Sequence, residues 1–332
     1  MKRAWKGYAL ILPMLAGFLL FYVIPFGQVV WDSLSQGTGK SQLFVGLENY
    51  SRMFQNNMFL LAFGNTLKFL GIGLPLILIL AYALALFLKS QSRRFPLLRP
   101  VFLLPYVMPV AGTVLLVDLL FSERGLTNRL LMALGLPLGD WLQSQTAFWV
   151  MLLLYLWKST GYAVVLLLSG LLTIPPEQYQ VAQVEGASAL QTFRWVTLPQ
   201  MWYALFLALV FSLINAFKCF REIFLVGGEH PHESVYMLQH FLNNSFENLN
   251  YQRLSVASVL LFLVIALGLG LCALWVLRKE GPGYDTASFP CTAGFLGGGD
   301  GAAAPGYFGS FLPGAPGGLV PPGDGVLPGS GL

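Results

Sequence analysis

The sequence predicts an all-α fold: a polytopic membrane helix bundle of six transmembrane helices with one short helix on its cytoplasmic surface. Three observations carry that prediction. Charged residues make up 10% of the chain against 56% hydrophobic ones, where a soluble domain carries about 25% charged residues. Uncharged windows recur at 8–30, 70–88 and 254–277, each with the roughly 20 residues that cross the hydrocarbon as a helix. One stretch breaks the pattern: EQYQVAQVEGASALQTFRWVTLPQ, at 177–200, is amphipathic and partly charged.

The spans are expected at about 8–30, 65–88, 98–121, 147–171, 201–220 and 254–277. They must be helical, because in lipid each backbone polar group needs a partner within its own segment. The opening MKRAWKG resembles the basic start of a secretory signal. The apolar stretch behind it is too long for one and lacks a small-x-small cleavage site, so an uncleaved first span is expected. Pro13, Pro25, Pro75, Pro105 and Pro109 fall inside or at the ends of spans, where neighbouring helices or a cavity must re-satisfy the backbone. Gly71, Gly73, Ala81, Ala83 and Ala85 predict close packing of the second span.

Orientation follows from Lys and Arg in the flanks. One side carries Lys2, Arg3, Lys6, Lys89, Arg93, Arg94, Arg99, Arg194, Arg278 and Lys279. The other carries Lys40, Arg52, Arg124, Arg129, Arg221 and Arg253, offset by Asp32, Glu48, Glu123, Asp140, Glu222, Glu229, Glu233 and Glu247. The first side, with both termini, is expected to be cytoplasmic. The net charge of +4 is spread over helix ends rather than gathered in a stripe, so no nucleic-acid partner is expected.

The cytoplasmic stretch reads as helix, turn, helix. Pro175 and Pro176 suit a first turn, and Glu177 complements the helix dipole there. Tyr179 and Ala182 share a face, with Val181 and Val184 beside them. Gly186 permits the left-handed conformation that ends a helix. Leu190, Phe193 and Val196 follow at i, i+3, i+6 before Pro199. Two turns are too short to be stable alone, so the segment must dock.

The spacing Gln180-Val181-Ala182, three residues, Gly186, nine residues, Val196-x-Leu198-Pro199 resembles the EAA loop of binding-protein-dependent ABC importer permeases. That pattern reads E-A-A-x3-G-x9-I-x-L-P. Gln180, Val181 and Val196 depart from it; the second alanine, the glycine, the leucine and the proline match. The segments LPMLAGFLLFYVIPFGQVVWDSL, FVGLENYSRMFQNNMFLLAFGNTLKF, RGLTNRLLMALGLP and LWKSTGYAVVLLLSGLLTIPPEQY are similar to the sugar-permease (MalF/UgpA-type) branch, across about residues 5–279. VGGEHP at 226–231 stands where that branch has a glycine-rich proline turn. The resemblance implies a six-span permease domain over 1–280 that pairs with a second permease subunit, an ABC ATPase dimer and an extracytoplasmic solute-binding protein in a prokaryotic inner membrane. It implies a solute that is a sugar, an oligosaccharide or a glycerol phosphate compound. Glu177, Tyr179, Gln180, Val181, Ala182, Glu185, Gly186 and Ala187 would then couple this chain to the ATPase. No G-x-x-x-x-G-K-[ST] loop is present, so no bound cofactor is expected and ATP is used by the partner.

Candidates for the substrate path are Tyr155, Lys158, Tyr162, Tyr203 and Asn215. An intramembrane charge is a functional candidate by default. Lys158 either lines a path with Ser159, Thr160 and Tyr162, pairs with a partner's carboxylate, or snorkels. Lys68, Asp118 and Lys218 are expected to reach water. Aromatic faces stack on sugars, and they also pack cores. His230, His232 and His240 read as solvated outer-loop residues and not as a metal site. Cys219, Cys272 and Cys291 form no spaced pair, and no catalytic constellation occurs. An ion-coupled secondary transporter acting alone is the alternative; it requires paired inverted repeats. Residues 281–332 hold 16 of 36 glycines and 8 of 20 prolines. They are expected to be a disordered extension without a role in transport, for which out-of-frame coding is one origin.

Overall fold

The computed structural model of the chain describes residues 4–37, 41–91 and 98–279. The 281–332 extension, Cys291 and the flanking charges Lys2, Arg3, Lys40, Arg93 and Arg94 lie outside the described residues.

Helix α1 (Ala4–Phe18) passes through a π turn at Leu19–Val23 into α2 (Ile24–Ser33). Pro25 has no N–H, so the ladder shifts: the Ile24 N–H bonds the carbonyl of Leu19, five residues back. This first span has its long apolar side chains exposed, Leu10, Leu15 and Phe21 among them, as a lipid-facing helix does. It leans on α15 (Tyr251–Lys279) through Phe26 and Phe262, whose ring centroids are 4.7 Å apart. A two-residue antiparallel ladder of β1 (Ser35–Gln36) and β2 (Leu43–Phe44) pairs Ser35 with Phe44, and α3 (Glu48–Phe54) follows.

The centre of the bundle is α4 (Asn57–Gln91) against α8 (Ala147–Thr173). Gly73, Ile77, Ala81, Ala85 and Leu88 are buried at helical spacing along one face of α4. A Cβ on Gly73 would sit 3.2 Å from the ring of Tyr155, so the small residue sets the approach. Gly71 and Ala83 lie on the exposed side of the same helix, so only part of the small-residue stripe is a contact. Lipid competes with apolar side chains for apolar neighbours, which leaves close packing, not hydrophobic transfer, as the force between these helices.

The third span is broken. Helix α5 (Leu98–Val107) and α6 (Val110–Phe121) are bent by 91° across Met108 and Pro109, and α7 (Leu126–Ala133) follows. Pro109 takes the extended conformation of an N-cap, and its carbonyl accepts from Thr113 N and Oγ1. Among the described residues five helices are long and apolar enough to cross a membrane, or six with the bent pair as one span. α5 is held against α8 by backbone contact, since a Cβ on Gly161 would lie 1.7 Å from the Phe102 carbonyl oxygen.

The surface segment comprises α9 (Pro176–Val184), α10 (Ala189–Thr192), a π turn at Phe193–Thr197 and α11 (Leu198–Gln200). Helices α12 (Trp202–Lys218) and α13 (Phe220–Gly227) then form one apolar run, Trp202–Gly227, that continues through Cys219: Cys219 N donates to Asn215 O and Ile223 N to Cys219 O. It extends seven residues past the expected end at 220. Arg221 and Glu222 therefore belong to a span and leave the outer-loop count, with its excess of acids unchanged.

At the other end of the bundle, a 3-10 turn (Glu233–Val235) and α14 (Leu238–Glu247) build a second core with Met53, Phe59, Tyr236, Phe241 and Val256. His240 belongs to this core and is not a solvated loop residue. Its ring lies between Phe220, Phe224 and Tyr236, and its Nδ1 accepts from Met237 N. Burial, reinforced by His230, pushes its pKa down from 6.5 to about 4.

Two outcomes follow. Gly161→Val should cost more than about 3 kcal/mol and show as loss of monodisperse protein in detergent. The neutral form of His240 is the one that fits, so its stabilisation is complete above pH 6.5 and falls as pH drops toward 4. Thermal unfolding across that window should show a falling Tm that flattens in His240→Gln.

Candidate functional site

Helix α9 starts where the sequence places it, with Pro176 in its first turn and Glu177 exposed beside it. Its end is a Schellman motif. Gly186 has φ of +73° and donates to Gln183 O at 3.1 Å, while Ala187 N donates to Ala182 O at 2.9 Å. Nothing lies within 4 Å of a would-be Cβ on Gly186, so the backbone conformation, not space, demands glycine. Ser188 then caps α10 reciprocally with Gln191: Gln191 N donates to Ser188 Oγ, and Ser188 N donates to Gln191 Oε1 at 2.7 Å. Pro199 explains the π turn as Pro25 does in the first span, since Leu198 N reaches back five residues to Phe193 O.

The segment has two distinct faces. On the inner one, Ala182 is buried and Tyr179 is clamped. The Lys89 ammonium donates to the Tyr179 hydroxyl at 3.1 Å and stands 4.2 Å from the ring centroid, and Thr197 Oγ1 is 3.3 Å from the same hydroxyl. Gln200 donates to the side chain of Gln178. Tyr82, seven residues before Lys89 on the same face of α4, packs edge-on against Phe193 at 5.7 Å. On the outer face, Val181 (45% exposed), Val184 (89%), Leu190 (74%) and Trp195 (67%) are left uncovered by the described residues, with Glu177, Gln180 and Glu185 exposed around them. The expected single face of Tyr179, Ala182, Val181 and Val184 is thus split. The first two hold α9 to its own bundle, and the other two point away.

The path candidates separate as well. Tyr155 is 1% exposed, packs on Phe69 at 5.3 Å and donates to Ser212 O at 2.9 Å. It is a core residue that joins α8 to α12. Tyr203 is 61% exposed in the first turn of α12, and Asn215 is buried in that helix. Tyr162 is half-buried, stacked on Tyr106 at 4.9 Å and edge-on to Phe211 at 5.5 Å. Lys158 pairs with Glu222 of this same chain rather than awaiting a partner's carboxylate. Lys68 lies over the Phe148 ring at 4.4 Å, while Asp118 and Lys218 are exposed.

Sequence reasoning missed Glu222, Lys89 and Tyr82. Glu222 carries a legible signal: it is an acid flanked by FR and IFLV, and a span with a lone lysine needs a counter-charge. Lys89 does not, because a basic residue at a span end is ordinary. Lys89→Met should remove about 1–2 kcal/mol of hydrogen-bond and cation–π stabilisation. Amide exchange over residues 176–200 should then quicken while α8 stays protected.

Known proteins share this arrangement. A profile of the family described as "Binding-protein-dependent transport system inner membrane component" matches residues 73–279. The "Trehalose/maltose transport system permease protein MalF" of Thermococcus litoralis is 30% identical over 268 residues, covering 80% of this chain and 91% of that one. The "Probable ABC transporter permease protein YurN" of Bacillus subtilis is 33% identical over 276 residues, 79% and 93% of the two chains. The crystal structure of a bacterial ABC transporter for import of the acidic polysaccharide alginate superposes with a TM-score of 0.70 at 22% identity, over 83% of this chain and 96% of that one, a likeness of fold. This chain belongs to the family of binding-protein-dependent transport system inner membrane components.

Proposed function

We propose that this permease forms the path for a sugar or related polyhydroxylated solute, together with a second permease, in an ATP-driven importer of a prokaryotic inner membrane. Helix α9 seats its outer face in a cleft of a cytoplasmic ATPase subunit. The ATPase dimer consumes the ATP, this chain contributes no nucleotide site, and an extracytoplasmic binding protein delivers the solute. Both termini lie in the cytoplasm.

One observation carries the reading: α9 is fixed to the bundle by Tyr179 and Ala182 and leaves Val181 and Val184 uncovered on the opposite side. A lipid-facing helix would not ring those residues with Glu177, Gln180 and Glu185, because carboxylates are costly in hydrocarbon. An aqueous protein partner with an apolar cleft fits both features. The trehalose/maltose transport named for a 30%-identical relative supports the choice of a carbohydrate. An ion-coupled transporter acting alone leaves that face without a purpose.

The test separates insertion from coupling. Val184→Asp places a charge on the docking face, and Gly186→Val forces a β-branched residue into a left-handed conformation at a cost of about 1–2 kcal/mol. Both variants should reach the membrane at normal abundance yet lose at least tenfold in ATP-driven uptake. Undiminished uptake in both, or solute transport by this chain without any ATPase, contradicts the proposal.

A further inference from the structure

Among the described residues, the ion pair buried within the spans joins Lys158 of α8 to Glu222 of α13. The Glu222 side chain is 4% exposed and that of Lys158 16%. Only one carboxylate oxygen is used. Oε1 accepts from Lys158 Nζ, whereas Oε2 is buried and, among the described residues, has no hydrogen-bond partner. A carboxylate offers about four acceptor sites, and polar groups inside a span are almost always paired. A bare acceptor at this depth therefore marks a donor that the described residues do not supply.

The surroundings narrow what that donor is. The acid of the pair sits near the end of the fifth span, one turn beyond the buried Cys219. Tyr162 lies one turn beyond Lys158 on the same face of α8, stacked on Tyr106 and edge-on to Phe211. Aromatic rings one helical turn from a paired carboxylate and ammonium are chemistry that takes a sugar: rings cover its C–H faces while the charged pair exchanges hydrogen bonds with its hydroxyls. A hydroxyl can donate to Glu222 Oε2 and accept from Lys158, which has three N–H donors. A carboxylate or phosphate brings acceptors only, and at Oε2 it meets like charge in a medium of low dielectric.

Building on the permease reading above, we propose that Lys158 and Glu222 form a solute station within the spans, at which Glu222 selects neutral, hydroxyl-rich sugars over anionic solutes. The station is closed in this conformation and opens when α13 moves from α8. The carboxylate then takes its missing donor from the solute.

The complete importer, with its partner subunits and binding protein in proteoliposomes, tests this with a panel of maltose, trehalose, xylobiose, sn-glycerol 3-phosphate and alginate trisaccharide. Wild-type protein should take up neutral members in preference to the two anions. Glu222→Gln, which replaces the free acceptor with an amide, should raise KM for the preferred sugar at least tenfold while lowering the maximal rate less than threefold. It should also narrow the margin against the anions. The double variant Lys158→Gln with Glu222→Gln removes the uncompensated charge and should show the same KM defect. Preference for an anion by the wild-type complex, an unchanged KM in both variants, or failure of both to assemble would overturn the proposal; the last assigns the pair to folding alone. ATP-dependent uptake of no probe at all would instead defeat the permease reading on which this inference rests.

Discussion

Helices α4 and α8 approach so closely at Gly73 that the Tyr155 ring fills the space a side chain would take. That contact is what the remaining elements are built upon. Along α4, the buried row of Gly73, Ile77, Ala81, Ala85 and Leu88 continues toward the end that carries Tyr82 and Lys89. Along α8, the same packing fixes where Gly161 meets the backbone of α5 and where Lys158 meets α13. In a bilayer such proximity matters more than apolar character, because lipid chains offer apolar contact everywhere.

A physical connection between the surface segment and the bundle follows. Tyr179 is held by Lys89, and Phe193 by Tyr82, both on α4. Displacement of α9 would therefore pull on α4, the helix packed most closely on α8. Among the described residues, the spans also contain one place where a helix is sharply interrupted, the 91° bend at Met108–Pro109. Conformational change by movement of packed elements needs such breaks.

Much of this was legible in the sequence. Charge-free windows located the spans, and the x-Gly186-x9 spacing located the turn, because both follow from backbone constraints that few residues satisfy. Pro25 is legible as a break, and the π turns before Pro25 and Pro199 express one cause, a missing N–H. What stayed hidden depended on long-range pairing. The fifth span was ended at 220 because Arg221 and Glu222 look like a loop; only Lys158 of another helix makes Glu222 tolerable inside. His240 was read as solvated because its aromatic enclosure comes from segments about 4 to 20 residues away. Tyr155 resembled a path residue by type, while its hydroxyl was already committed to Ser212.

The account turns on which way α9 faces. A photo-cross-linking residue at position 184, in membranes holding the whole importer, reads that directly. The account predicts a cross-link to the ATPase subunit that changes in yield with ATP, and none from position 267, where Leu267 is exposed on α15. Equal labelling of lipid from both positions, with no ATPase adduct from 184, would contradict it.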